Sequence, residues 1–187
     1  MRRLVSALAL SLALVPTVHA RSLELALNDD MAQFLYSTST DPWGMRGGEF
    51  GIGVLFNEND DLVGTLRLLS TNRVSPSFRL GVGLQGYAGD LDEIDETMGA
   101  VAIGGNIGFS LAAQVPVSLV FEGWIAPGIL AFGDIDKLKE MSARIEVGVS
   151  DHAAVFVGYR KLKVDLSDYR HDYELDDSAQ LGIRIGF

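Results

Sequence analysis

Apolar residues recur at every second position through most of this chain. The last run is the clearest. Ala179, Leu181, Ile183, Ile185 and Phe187 share one face, with Ser178, Gln180, Gly182, Arg184 and Gly186 on the other. That is the period of a β-strand with unlike faces. The same pattern puts Met141, Ala143, Ile145, Val147 and Val149 opposite Ser142, Arg144, Glu146 and Gly148. It also marks strands over 48–57, 62–70, 77–88 and 98–111, although Val63 and Leu69 blur the second of these. Residues 117–126 carry Val117, Leu119, Phe121 and Ile125 against Glu122 and Trp124, and Pro127 then ends the ladder because it cannot donate. In 153–166 the apolar set changes parity, from Val155, Val157 and Tyr159 to Leu162, Val164 and Leu166. A bulge near Arg160, or emergence from a membrane there, accounts for the change. A short pair, 22–27 and 31–37, brings the expected count to ten strands.

Two apolar stretches invite other readings. Arg2 and Arg3, the apolar run Leu4–Val15, Pro16 and the small residues Val18 and Ala20 form a Sec signal peptide over 1–20. The mature barrel domain is then 21–187. It is more acidic than the precursor, since the leader removes two arginines and no acids. Thr97–Phe121 lacks charge and contains Gly104-x-x-x-Gly108, which resembles a packing motif of membrane helices. Its period of two, its glycines and Pro116 favour two strands with a turn at 112–116.

A soluble sandwich alternates as well, so the nature of the polar face decides. Here it is mostly Gly, Ser, Ala, Asn and Gln, with isolated charges of both signs. Glu24, Glu49, Glu122 and Glu146 point the same way as Arg67, Arg79, Arg144 and Arg184. Paired charges on an enclosed face suit a small plugged lumen. Several expected strands run 10–14 residues, close to the ~9–11 that cross a bilayer as a tilted barrel wall. The fold class expected is therefore all-β: a transmembrane, antiparallel up-and-down β-barrel of ten strands. The alternative is eight, with the N-terminal hairpin outside the wall or inside the lumen. Connections alternate between short and long, which puts both termini at the periplasmic end. The longer, outer loops hold 18 of the 25 acids. Aromatics near strand ends suit interface girdles, with Trp43, Phe78, Phe109 and Phe187 at one rim and Phe56, Tyr87 and Phe132 at the other. The segment Pro127–Lys139 is a candidate lid over the outer mouth.

With strands placed, three segments resemble the YfaZ family of Gram-negative outer-membrane proteins. They are Gly86-Tyr87-Ala88-Gly89-Asp90-Leu91-Asp92, the run from Ala126 to Asp134, and Gly158-Tyr159-Arg160-Lys161. The resemblance covers the mature chain. It implies a secreted barrel in the cell outer membrane and no reaction, so no catalytic residue carries over from it. The ending Leu181, Ile183, Ile185 and Phe187 also resembles the signal read by barrel-assembly machinery, which is therefore an expected partner during biogenesis.

Composition narrows the chemistry. Lys plus Arg total 15 against 25 Asp plus Glu, which argues against nucleic acid as a partner. Cysteine is absent, removing disulfides and thiolate sites. Ser167, His171 and Asp172 lie close together in one expected outer loop and are weak candidates for a hydrolase or lipid A-modifying site. A working triad draws on separate rigid elements, so a solvated loop is favoured. Asp90, Asp92, Glu93, Asp95 and Glu96 supply hard oxygen ligands suited to Ca²⁺ or Mg²⁺, without EF-hand spacing. No cofactor is expected. The expected partners are outer-membrane lipid and lipopolysaccharide, and the pattern is silent on oligomeric state. A narrow channel is the remaining functional alternative to a structural or interaction role, although ten strands leave little lumen once side chains fill it.

Overall fold

The computed structural model describes residues 21–91, 96–111, 115–166 and 172–187. The wall strands are β1 (Arg21–Leu27), β2 (Met31–Ser39), β3 (Gly48–Asn57), β4 (Leu62–Ser75), β5 (Phe78–Leu91), β6 (Glu96–Leu111), β7 (Val117–Ala126), β9 (Ile135–Ser150), β10 (Ala153–Leu166) and β11 (Asp172–Gly186). A three-residue strand β8 (Ala131–Gly133) pairs with β6 above the end of β7. Every pairing is antiparallel, and β1 closes on β11 with Leu23 opposite Ile185. The terminal residues join the ladder too: Arg21 N donates to Phe187 O at 3.2 Å, and Phe187 N to Arg21 O at 3.0 Å. Pairing of β1 with β11 removes the two edge strands an open sheet would have, as a sheet in lipid requires. Since β1 and β2 sit in the wall, the barrel has ten strands rather than eight. The strands β6 and β7 take up Thr97–Leu111 and Val117–Phe121 of the uncharged stretch, in place of a membrane helix.

Outward rows carry the apolar alternates. Leu66, Leu84, Ile103, Phe121, Ile145, Val157 and Leu181 are all exposed, from seven different strands. A belt of this extent is far beyond the few hundred Å² of contiguous apolar surface that soluble monomers tolerate. Trp43 packs edge-on to Phe50, with centroids 5.9 Å apart, and Phe78 lies 5.0 Å from Phe109. Tyr87 departs from the expected girdle, because it points into the lumen and is 3 % exposed.

The wall rises further than the hydrophobic period indicates. β9 begins at Ile135 and β11 at Asp172, ahead of the alternating runs that open at Met141 and Ser178. Beyond the belt, outward positions become charged while the backbone ladder continues. That also explains the parity change in β10. Its geometry is unbroken: Arg160, Leu162, Val164 and Leu166 are all buried inward. The outward positions change from Val157 and Tyr159 to Lys161 and Lys163. A bulge does exist, but on β11, where Leu175 is the extra residue opposite the Leu162/Lys163 step. Pro127–Lys139 does not form a lid. After a 3-10 turn at Gly128–Leu130 the chain rejoins the wall as β8 and β9.

Candidate functional site

The enclosed volume of the barrel is its candidate site, and it is layered. At the level of the belt the inward rows of six strands bring charged side chains together. On one side, Arg144 Nη1 contacts Glu24 Oε1 at 2.6 Å and its Nε lies 2.8 Å from Glu146 Oε1. Arg184 forks onto the same Glu146, at 2.5 and 3.0 Å. On the other side, Arg67 grips Glu122 at 2.5 and 3.2 Å, donates to Gln85 Oε1 at 2.6 Å and stacks on Trp124. The Trp124 indole donates to Glu122 Oε1 at 2.7 Å. Gln85 then relays to Glu140 Oε2 at 3.2 Å, Glu140 also accepts from the Tyr87 hydroxyl, and Arg160 Nε lies 2.9 Å from Glu140 Oε1 as an ion pair. Arg160 reaches Gln33 Oε1 at 2.8 Å and lies 3.8 Å from Asp176. Phe156 supports this layer from within: Arg144 stacks on its ring at 4.9 Å, and the ring occupies the space beside Gly182, where a Cβ would stand 2.1 Å from Cζ.

Above the charges the lumen turns apolar. Leu55, Val63, Leu91, Leu138, Leu162 and Val164 are fully buried there and form one cluster with Met31, Met98 and Leu175. Its outer surface is laced over by polar bonds. Tyr173 on β11 donates its hydroxyl to Asp61 Oδ2 at 2.8 Å, and Asn57 donates to the same carboxylate at 2.9 Å. Asp61 is thus buried at the mouth, and Asp176 deeper beside Arg160, rather than solvated in loops. Below the charges lies a polar vestibule at the end holding the termini. A cavity of about 350 Å³ is lined by Ser22, Ser37, Thr71, Arg73, Arg79 and Glu49, and one of about 210 Å³ leads from it towards Arg67 and Arg144.

Six of the eight lumen charges expected from sequence are joined in pairs: Glu24, Arg67, Glu122, Arg144, Glu146 and Arg184. Glu49 and Arg79 face the vestibule, with no ion pair within 4.0 Å among the described residues. Glu140, Arg160 and Asp176 join the network unforeseen. Glu140 and Asp176 lie just ahead of the alternating runs from Met141 and Ser178, and Arg160 stands where a bulge was expected. Their common signal was an inward parity shared with Arg144, Gly158 and Gln180.

The other candidates are less organised. Asp90 is exposed on β5 and Glu96 starts β6 across from Leu91, while Asp92, Glu93 and Asp95 lie outside the described residues. Among the described residues no cluster of three or more His, Asp or Glu is placed to hold a metal ion. Ser167 and His171 also lie outside the described residues, and Asp172 opens the β11 ladder opposite Asp165. Leu181, Ile183 and Ile185 form the outward row of β11, leading to an exposed Phe187.

Among solved structures the chain is similar to the outer-membrane channel DcaP of Acinetobacter baumannii, at 12% identity and a TM-score of 0.43. That likeness covers 88% of this chain and 54% of DcaP, so the chain spans about half its length. Similarity to the NanC porin is 9% in identity with a TM-score of 0.39, over 90% of this chain and 98% of NanC. Scores this low carry no argument about pore or ligand, and the barrel stands on its own ladder of hydrogen bonds. No curated protein matches the chain. A family model does, from the first residue to the last: the YfaZ precursor model aligns with residues 1–187. A secreted precursor with this barrel is what the sequence segments led to, and the chain belongs to the YfaZ family.

Proposed function

We propose that the chain is an integral protein of the bacterial outer membrane, with a structural or interaction role and a lumen that does not conduct. One observation carries this reading: the polarity of the barrel is inverted. Leu66, Ile103, Ile145 and Val157 point outward, while Arg67, Arg144 and Arg160 point inward onto acidic partners. Water would reverse that arrangement, whereas a bilayer demands it, because acyl chains cannot satisfy a charge. The apolar cluster above the charges supports a closed lumen, since ions crossing it would lose their hydration without compensation. Export by the signal peptide and assembly through the terminal row Leu181, Ile183, Ile185 and Phe187 complete the route to the membrane. The acidic outer loops would then face the medium and lipopolysaccharide.

Two measurements test this. Membrane fractionation with heat-modifiable gel mobility should place the chain in the outer membrane as a compact barrel that shifts on boiling. Planar-bilayer recording of the purified chain should show no large, stable conductance steps. A soluble fraction with unshifted mobility would overturn the membrane assignment. Regular steps would favour a narrow channel instead.

A further inference from the structure

The chain has only four lysines, Lys137, Lys139, Lys161 and Lys163. The fold gathers all of them on one outward patch of β9 and β10. Lys139 stands directly opposite Lys163, Lys137 opposite Asp165, and Lys161 opposite Met141. Between them Leu138, Leu162 and Val164 are buried in the lumen, so the alternate lysine rows face away from it. The patch begins where the apolar belt ends. Met141 and Tyr159 are exposed outward residues of the belt, 70 % and 49 % exposed, and each lysine row starts two residues further on. Two residues of a strand tilted about 40° rise about 5 Å along the membrane normal. That carries the ammonium groups from the hydrocarbon boundary into the headgroup layer, a zone of about 5–7 Å on each side of the core. Lysine stems suit that position, because the methylenes lie along the apolar wall and the charge reaches the polar layer.

The patch is also electrostatically incomplete. Lys161 and Lys163 are braced from β11, Lys161 by Asp177 and by Glu174 at 3.5 Å, and Lys163 by Glu174. Lys137 and Lys139 have no ion pair within 4.0 Å among the described residues. Lys139 and Lys163 are like charges directly opposite one another, which destabilises a sheet unless an anion lies between them. The rest of the outer end is rich in acids, so an anionic headgroup meets net attraction here and repulsion elsewhere.

We infer that this lysine patch binds the phosphate of a phosphorylated glycolipid of the outer leaflet, lipid A, with Lys139 and Lys163 donating to one phosphate group and Lys137 and Lys161 flanking it. The inference rests on the outer-membrane reading, which sets these residues at the outer leaflet. Each lysine near a membrane surface is worth about 1 kcal/mol, or roughly fivefold in affinity.

The test uses the purified full barrel in detergent micelles doped with diphosphoryl lipid A or with its fully dephosphorylated form. Lipid retained through gel filtration is counted by mass spectrometry. Heat-modifiable mobility is read first, and a chain that does not form a barrel overturns both readings. A folded wild type should retain diphosphoryl lipid A and much less of the dephosphorylated form. Lys139→Gln with Lys163→Gln should lower retention of the diphosphoryl form at least tenfold without changing mobility. Arg73→Gln with Arg79→Gln removes the same charge at the opposite end and should leave retention unchanged. Equal retention of the two lipids overturns the site while leaving the outer-membrane reading intact. So does an unchanged lysine variant, or an equal loss in the arginine variant.

Discussion

Arg67→Met is the substitution that bears most heavily on the closed lumen. Methionine keeps much of the length and removes the charge. Arg67 has two contacts with Glu122, one with Gln85 and a stacking contact with Trp124. After the change, Glu122 keeps the Trp124 indole N–H at 2.7 Å, in a side chain only 10 % exposed. A buried charge stripped of its partner costs about 3–5 kcal/mol. The same substitution made beside Glu122→Gln leaves no orphaned charge, so it should cost about 1–3 kcal/mol less, a coupling read from a double-mutant cycle. The assay is reversible urea unfolding of the barrel in lipid vesicles, followed by tryptophan fluorescence. If Arg67→Met alone costs under about 1 kcal/mol, the pair behaves as a hydrated surface pair. Glu122 would then be bathed in water and the lumen open.

Three further outcomes follow from the same layering. Ile145→Arg, on the outward row of β9, should destabilise the barrel by about 2–4 kcal/mol in vesicles; a neutral effect there would place Ile145 in water. Leu138→Ala empties part of the fully buried apolar plug and should cost about 2–5 kcal/mol, yet bilayer recordings should stay silent because the charged layer beneath remains; steady conductance would show that the plug alone closes the barrel. Beyond the belt, Asp134 accepts from the backbone N–H of Thr97 at 3.0 Å and from its hydroxyl at 3.1 Å, and these bonds hold its carboxyl below the usual aspartate range. A lowered folded value means the link is complete above about pH 4 and is lost as the pH falls through that folded value. The Thr97 amide resonance should therefore titrate with a midpoint below about 3.9, and a midpoint at or above this would deny the bond.

Fold class, strand number and the inward direction of Arg67, Arg144 and Arg184 were legible because inward and outward rows differ so sharply in polarity at the belt. Legibility failed where that contrast fades. Val63 and Leu69 look like noise in a strand whose apolar face is Leu62, Leu66 and Leu68, but both are inward and almost fully buried. Leu162, Val164 and Leu166 look like a reversal of β10. Val63 and the β10 run share one cause: the lumen is apolar above its charged layer, and the outer wall is charged above its apolar belt; Leu69 instead lies on the vestibule side of Arg67, within the same buried cluster. The periodicity of hydrophobicity inverts at that height while the ladder continues. Glu140 was missed for the same reason: it precedes the alternating run that opens at Met141. Glu49 and Arg79 share the inward parity of the network but sit too near the vestibule to join it. Parity gives a side chain's face, and only the register gives its height.

β7 offers the most direct test of the central claim, that apolar rows touch acyl chains and the charged rows do not. The chain has two tryptophans, Trp43 at the rim and Trp124 in the lumen. Phe121 and Trp124 lie three residues apart on opposite faces, 48 % and 3 % exposed. In bilayers of lipids brominated along their acyl chains, Trp43→Phe leaves only Trp124, whose fluorescence should be barely quenched. Trp43→Phe with Trp124→Phe and Phe121→Trp should be quenched strongly. Strong quenching of Trp124 with a protected residue 121 would mean that the barrel is inside out.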